Sequence, residues 1–142
     1  MAWYMELTEW VNTLERFKNW KQNKGKPLDV QLDELADVLA FGLSLYLQVG
    51  GRSDTYFGTR LENLDKYVSF KASNFRSQED YGLAFLGDCL HLLEFEEDLN
   101  LKVRKTVLIP LEIAQDVYSI DQLLDAYEMK MKVNHDRQDN GY

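Results

Sequence analysis

The chain has 142 residues, enough for one domain with a real core, and 45% hydrophobic and 13% aromatic residues exclude a disordered chain. A net charge of -8 argues against a general binder of nucleic acid or anionic membranes, and one cysteine, Cys89, excludes a disulfide framework. No apolar run reaches membrane-spanning length and no signal-peptide pattern is present, so a cytoplasmic setting is expected, and any anionic ligand must be met by a bound metal or a local basic cluster.

In chain order, residues 2–20 (AWYMELTEWVNTLERFKNW) place Trp3, Leu7, Trp10, Val11, Leu14 and Phe17 at helical spacing and predict a helix. A polar loop with Gly25 and Pro27 follows, and Asp29 is a candidate cap for the next helix. Residues 30–48 (VQLDELADVLAFGLSLYLQ) form the most apolar helix, expected to be buried on most sides and stopped by Gly50-Gly51. Shorter helices are predicted over 59–70 and 77–98, the second opened by Ser77 and Asp80. The run KVRKTVLIP fits an extended segment as well as a helix, with Pro110 starting a helical turn rather than lying inside one. Ser119 with Gln122 opens a final helix to about residue 136. The expected fold is an all-α bundle forming a single domain over residues 1–142.

Two carboxylate pairs carry the chemistry. Glu6 and Glu9 share one face of the first helix, and Glu34 and Asp37 one face of the second. Like charges beside apolar neighbours are costly unless something positive meets them. Antiparallel packing across the Gly25–Pro27 loop would bring both pairs to one point, a set of hard oxygen donors suited to Mg²⁺ or Mn²⁺. Either pair alone reads better as ordinary solvated carboxylates; the two pairs on adjacent helices bring the metal reading level with that one. His91, among leucines, is expected to be partly buried, His135 exposed, Cys89 a core thiol, and the acidic run 94–99 a solvated helix end.

The blocks MELTEWVNTLERFKNW and DELADVLAFGLSL resemble the all-α dUTPases, the dimeric dUTP diphosphatases of bacteria, phages and some protozoa, related to the MazG-like nucleotide pyrophosphohydrolases. Glu6, Glu9, Asn12, Phe17, Lys18, Trp20, Glu34, Asp37, Leu39, Phe41, Leu43 and Ser44 match that family's pattern. So do Ala126, Tyr127, Lys130, Asn134, Arg137, Gln138, Gly141 and Tyr142 in the closing AYEMKMKVNHDRQDNGY. The resemblance covers about residues 5–48 and 119–142. It departs at Thr13, where a third glutamate is usual, at Ala40, where histidine is usual, and in an N-terminal segment that contacts uracil and is not seen ahead of Glu6.

The resemblance implies hydrolysis of dUTP, and of dUDP as a further substrate, to dUMP by a homodimer using Mg²⁺, with Mn²⁺ as a substitute. Metal ligands would be Glu6, Glu9, Glu34 and Asp37, with Glu6 or Glu9 accepting the proton of the attacking water. Lys18, Lys130, Asn134, Arg137 and Tyr142 would hold the phosphates. Asn12, Trp20 and Phe41 would hold the nucleoside. Two other readings stand beside it: a MazG-like enzyme acting on another nucleotide such as dCTP, and a non-catalytic interaction protein on the same scaffold, which Thr13 and Ala40 favour. Neither nucleic acid nor membrane is an expected partner.

Overall fold

A computed structural model of the chain describes residues 2–15, 22, 25–49 and 81–139. Those residues form five α-helices and no strand: α1 (Ala2–Thr13), α2 (Leu28–Gln48), α3 (Leu83–Phe95), α4 (Leu99–Val117) and α5 (Ile120–Asp139). The all-α fold is the expected one. The helix predicted over 59–70, the Ser77–Asp80 cap and the Gly50-Gly51 stop lie outside the described residues.

The helix α1 buries the predicted stripe, Trp3, Leu7, Trp10 and Val11, with Leu14 just beyond its end. It stops at Thr13 instead of running on through residue 15. The amides of Leu14 and Glu15 donate three residues back, to Val11 and Asn12 (both 3.1 Å), and Glu15, itself buried, takes a left-handed φ of 55°. The Lys26 amide then donates to the Thr13 carbonyl (2.7 Å), so the loop caps the helix it leaves.

At the start of α2 the cap position belongs to Pro27 and carries no side-chain hydrogen bond; Asp29 lies in the first turn, where its charge suits the helix dipole. The helix buries Leu32, Leu35, Ala36, Val38, Leu39 and Tyr46, yet leaves Val30, Phe41 and Leu47 exposed, so it is less enclosed than its composition suggests. It packs on α1, α4 and α5. Thr13 meets Lys26 at one end while Glu6 meets Glu34 and Asp37 further along, which makes α1 and α2 antiparallel. By the same reasoning α4 runs antiparallel to α2, because Tyr118 meets Gln31 whereas a Cβ on Gly42 would touch Thr106.

The run KVRKTVLIP is helical, and Pro110 lies inside α4, contrary to expectation. Proline has no N–H, so the Thr106 carbonyl four residues earlier loses its helical donor. The Trp3 indole N–H replaces it, donating to the Thr106 oxygen at 2.9 Å in a buried setting. Gly42 permits the approach on the other side: a Cβ there would stand 2.4 Å from the same oxygen. Three helices therefore lock at one carbonyl.

Asp98 caps α4 by accepting from the amides of Asn100 (3.0 Å) and Leu101 (3.3 Å), so the acidic run 94–99 opens a helix as well as closing α3. The Ser119 hydroxyl accepts from the Gln122 amide (3.1 Å), as its spacing predicts. A buried polar chain ties the layers together: the Trp10 indole donates to the Tyr118 hydroxyl (3.2 Å), Tyr118 to Gln31 Oε1, and Gln31 Nε2 to the Lys26 carbonyl (2.7 Å). Burial pushes the Tyr118 phenol up to about 12 despite the Trp10 hydrogen bond, so it is a neutral donor throughout the physiological range. Cys89 is buried as expected, while His91 is exposed and rests against Phe95 (ring centroids 4.6 Å apart), not partly enclosed by leucines.

Candidate active site

The candidate residues lie on stripes of α1, α2 and α5, and α2 packs on both of the others. Three- and four-residue steps keep a helical face, so Glu6, Glu9 and Asn12 share one face of α1, and Glu34, Asp37 and Phe41 share one of α2. Lys130, Asn134 and Arg137 share one of α5. Antiparallel packing carries Glu6 to the second stripe, and one carboxylate oxygen each from Glu6, Glu34 and Asp37 lies within 4.8 Å of the others. All three are half-buried. Glu9 is exposed and hydrogen-bonded to Glu6, beside this group instead of within it.

The electrostatics show what such packing costs. Burial, then the charges of Glu9, Asp37 and Glu34, raise the Glu6 carboxyl to about 7. Protonated, it can donate to Glu9. Glu34 is also raised, first by burial, then by Asp37 and Glu9, with Lys130 pulling the other way. Its Oε2 atom is buried and has no hydrogen-bond partner among the described residues. A carboxylate with a buried oxygen that lacks a donor, grouped with two more carboxylates, is what a divalent cation would satisfy. The donor set is all oxygen, which suits Mg²⁺ or Mn²⁺ better than softer metals.

Lys130 reaches the same place from α5. Its ammonium stands 2.6 Å from Asp37 Oδ1 and 3.1 Å from Asp33 Oδ2, and donates to the Asp33 carbonyl at 3.1 Å. Burial lowers the Lys130 pKa, but hydrogen bonds and charges from Asp37 and Asp33 outweigh it and hold the group above its ordinary value. Sequence reasoning missed Asp33. It is one acid among many beside Glu34, and only the approach of α5 singles it out.

Asn12, Phe41, Asn134 and Arg137 are exposed. Lys130 meets Asp33 and Asp37, while Met129 and Gln122 line a cleft with Asp33 and Asp29, so α5 runs parallel to α2. Continuing that way, Asn134 and Arg137 advance about 6 to 10 Å along the axis, in the direction in which α2 leads to Phe41. Asn12 lies on the other side of the acidic group, toward the loop. Lys18, Trp20 and Tyr142 lie outside the described residues. Thr13, where the family pattern has a glutamate, is buried and donates to the Trp10 carbonyl (2.6 Å), turned into its own helix. The Gln122–Met129 cleft is rimmed by Asp29, Asp33 and Asp125, a poor host for a polyphosphate.

The described residues are all-helical in their regular structure and bring together three carboxylates that could hold a metal ion. The dUTPase family model matches residues 1–142, spanning the central stretch as well as the motif blocks at either end, and the chain belongs to the dUTPase family. That family places it among the nucleoside triphosphate diphosphatases, hydrolases of nucleotide metabolism. No curated protein matches the chain. No helix among the described residues is long and apolar enough to cross a membrane.

Proposed function

We propose that this chain hydrolyses dUTP to dUMP and pyrophosphate, accepting dUDP less well, with Mg²⁺ or Mn²⁺ held by Glu6, Glu34 and Asp37 and bordered by Glu9. The convergence of three carboxylates, one of them Glu34 with its unpaired Oε2, in a member of the dUTPase family carries this reading. When bound, the metal neutralises phosphate charge and acidifies a water molecule. Glu9 is the proton acceptor: it is exposed at the rim and linked by a hydrogen bond to Glu6, which faces the cation.

Arg137 offers two parallel N–H donors to phosphate oxygens, and Asn134, one turn before it, adds a directional hydrogen bond. Lys18 and Tyr142 join the phosphate set, and Trp20 the nucleoside set, on the family resemblance alone. Phe41, exposed one turn beyond Asp37, offers its ring to the base, with Asn12 toward the sugar. The one hydrophobic cluster seen among the described residues, drawn from all five helices, supports one domain. Met129 and Val133, 70% and 46% exposed on α5, support a homodimer that covers them. The acidic surface speaks against a nucleic-acid partner, and a cytoplasmic nucleotide pool is the matching setting.

Pyrophosphate release measured with Mg²⁺ across dUTP, dCTP, dTTP and dATP tests the substrate. Turnover of dUTP no faster than of dCTP or dTTP would sink the assignment in favour of a broader nucleotide pyrophosphohydrolase. The Glu34→Gln variant should lose turnover while keeping its helical circular dichroism.

A further inference from the structure

An ammonium group has three N–H donors, and in Lys130 three oxygens meet it: Asp37 Oδ1, Asp33 Oδ2 and the Asp33 carbonyl. While those contacts hold, no donor is left for a phosphate oxygen. The carboxylate that Lys130 holds most closely, at 2.6 Å, belongs to the three that converge as metal ligands. A lysine and a divalent cation therefore claim the same group. Two cations sharing one carboxylate repel; for charges of one and two about 5 Å apart in a largely watery medium, the penalty is about tenfold in affinity.

We propose that Lys130 is a tethered counter-ion which the divalent cation displaces from Asp37, so that loading the acidic centre releases the ammonium toward the phosphates of the nucleotide. The proposal rests on the metal reading above and deepens it. Lys130 sits on a flexible four-carbon stem, so its head can change partners without moving α5. Asp33, more than half exposed, holds the ammonium from the solvent side and is the weaker partner to give up. Metal and nucleotide then bind with positive coupling, because the first to arrive frees a group that the second needs. Lys130 is thus a competitor of the metal for Asp37 as well as a binding residue for phosphate.

Calorimetric titration with Mn²⁺ alone, comparing wild type with Lys130→Met, tests this. The expected result is Mn²⁺ affinity about tenfold tighter in Lys130→Met, together with a raised KM for dUTP. Unchanged Mn²⁺ affinity with a raised KM would make Lys130 an ordinary phosphate ligand and overturn the proposal. Weaker Mn²⁺ affinity would overturn it too, by showing that Lys130 is needed to orient Asp37. Glu34→Gln titrated in parallel separates the two levels: normal Mn²⁺ binding there removes the metal reading itself, whereas lost binding there with no gain in Lys130→Met removes only the role of Lys130. Should Lys130→Met not fold, the side-chain ammonium signal of Lys130 in the wild type answers the same question. It should be protected from exchange in chelator and exposed at saturating Mg²⁺; protection retained at saturation would refute displacement.

Discussion

Raising the pH of the metal-free protein should destabilise it, and the effect should trace to Glu6. The unfolded carboxyl titrates at its ordinary value of 4.5 and the folded one at about 7, so between those values the folded state binds more protons than the unfolded. The stabilisation is fully present below about pH 4.5, declines as the pH rises and is gone above about 7. A shift from 4.5 to about 7 corresponds to at most about 3.4 kcal/mol. Glu6 is only half-buried and water screens its neighbours, so on the order of 1 kcal/mol is expected, or about 2 to 4 °C in melting temperature. Thermal melts from pH 5 to 8 in chelator should show this fall, whereas Glu6→Gln, which cannot ionise, should show a flatter profile and exceed wild type at pH 8. Saturating Mg²⁺ should flatten the wild-type profile, because the metal replaces the proton as counter-charge and stabilises by mass action. A wild-type profile parallel to that of Glu6→Gln in chelator would refute the like-charge account of the site.

Other perturbations test the frame that holds the site. Trp3→Phe removes the donor that replaces the missing Pro110 N–H and should cost about 1 to 3 kcal/mol in chemical denaturation, leaving Mn²⁺ affinity unchanged. Gly42→Ala sets a Cβ 2.4 Å from the Thr106 oxygen and should cost about 1 to 3 kcal/mol by pushing α2 from α4; an unchanged midpoint would contradict the close approach. Arg137→Lys keeps the charge but loses the two-pronged geometry, and should raise KM for dUTP about tenfold while leaving the exposed end of α5 folded.

Much of this was legible in the sequence where one physical rule acted alone. The stripe from Trp3 to Leu14 and the Ser119 cap follow from helical periodicity or from an unpaired amide, and each is where its spacing puts it; of the two carboxylate pairs, Glu6, Glu34 and Asp37 come together while Glu9 stays beside them. The misreadings share a cause: a distant partner outweighed a local preference. Pro110 reads as the start of a helical turn, but Trp3, 103 residues before Thr106, supplies that carbonyl with the donor that lets the helix run through the proline. Residues 14 and 15 read as helix, but Glu15 adopts a left-handed φ where the loop folds back and Lys26 caps Thr13. Asp33 resembles its acidic neighbours until α5 brings Lys130 against it.

The location of the strain explains why the tight packing lies where it does. Within five residues α2 carries Asp33, Glu34 and Asp37, and α1 adds Glu6 and Glu9, so like charges push the two helices apart where these carboxylates come together. One ammonium, that of Lys130, meets two of these carboxylates and cannot neutralise five. The remaining cohesion comes from beyond the acidic group. On the Phe41 side, Gly42, Trp3 and Pro110 lock α1, α2 and α4 at the Thr106 carbonyl. On the loop side, Trp10, Tyr118 and Gln31 tie the same three helices through a buried chain of hydrogen bonds. With both ends fixed, the carboxylates between them are held at a distance they would not choose, and a divalent cation binding there gains the repulsion that its charge relieves. In a protein of net charge -8, the cations Lys130 and Arg137 on α5 supply local positive charge against its own field.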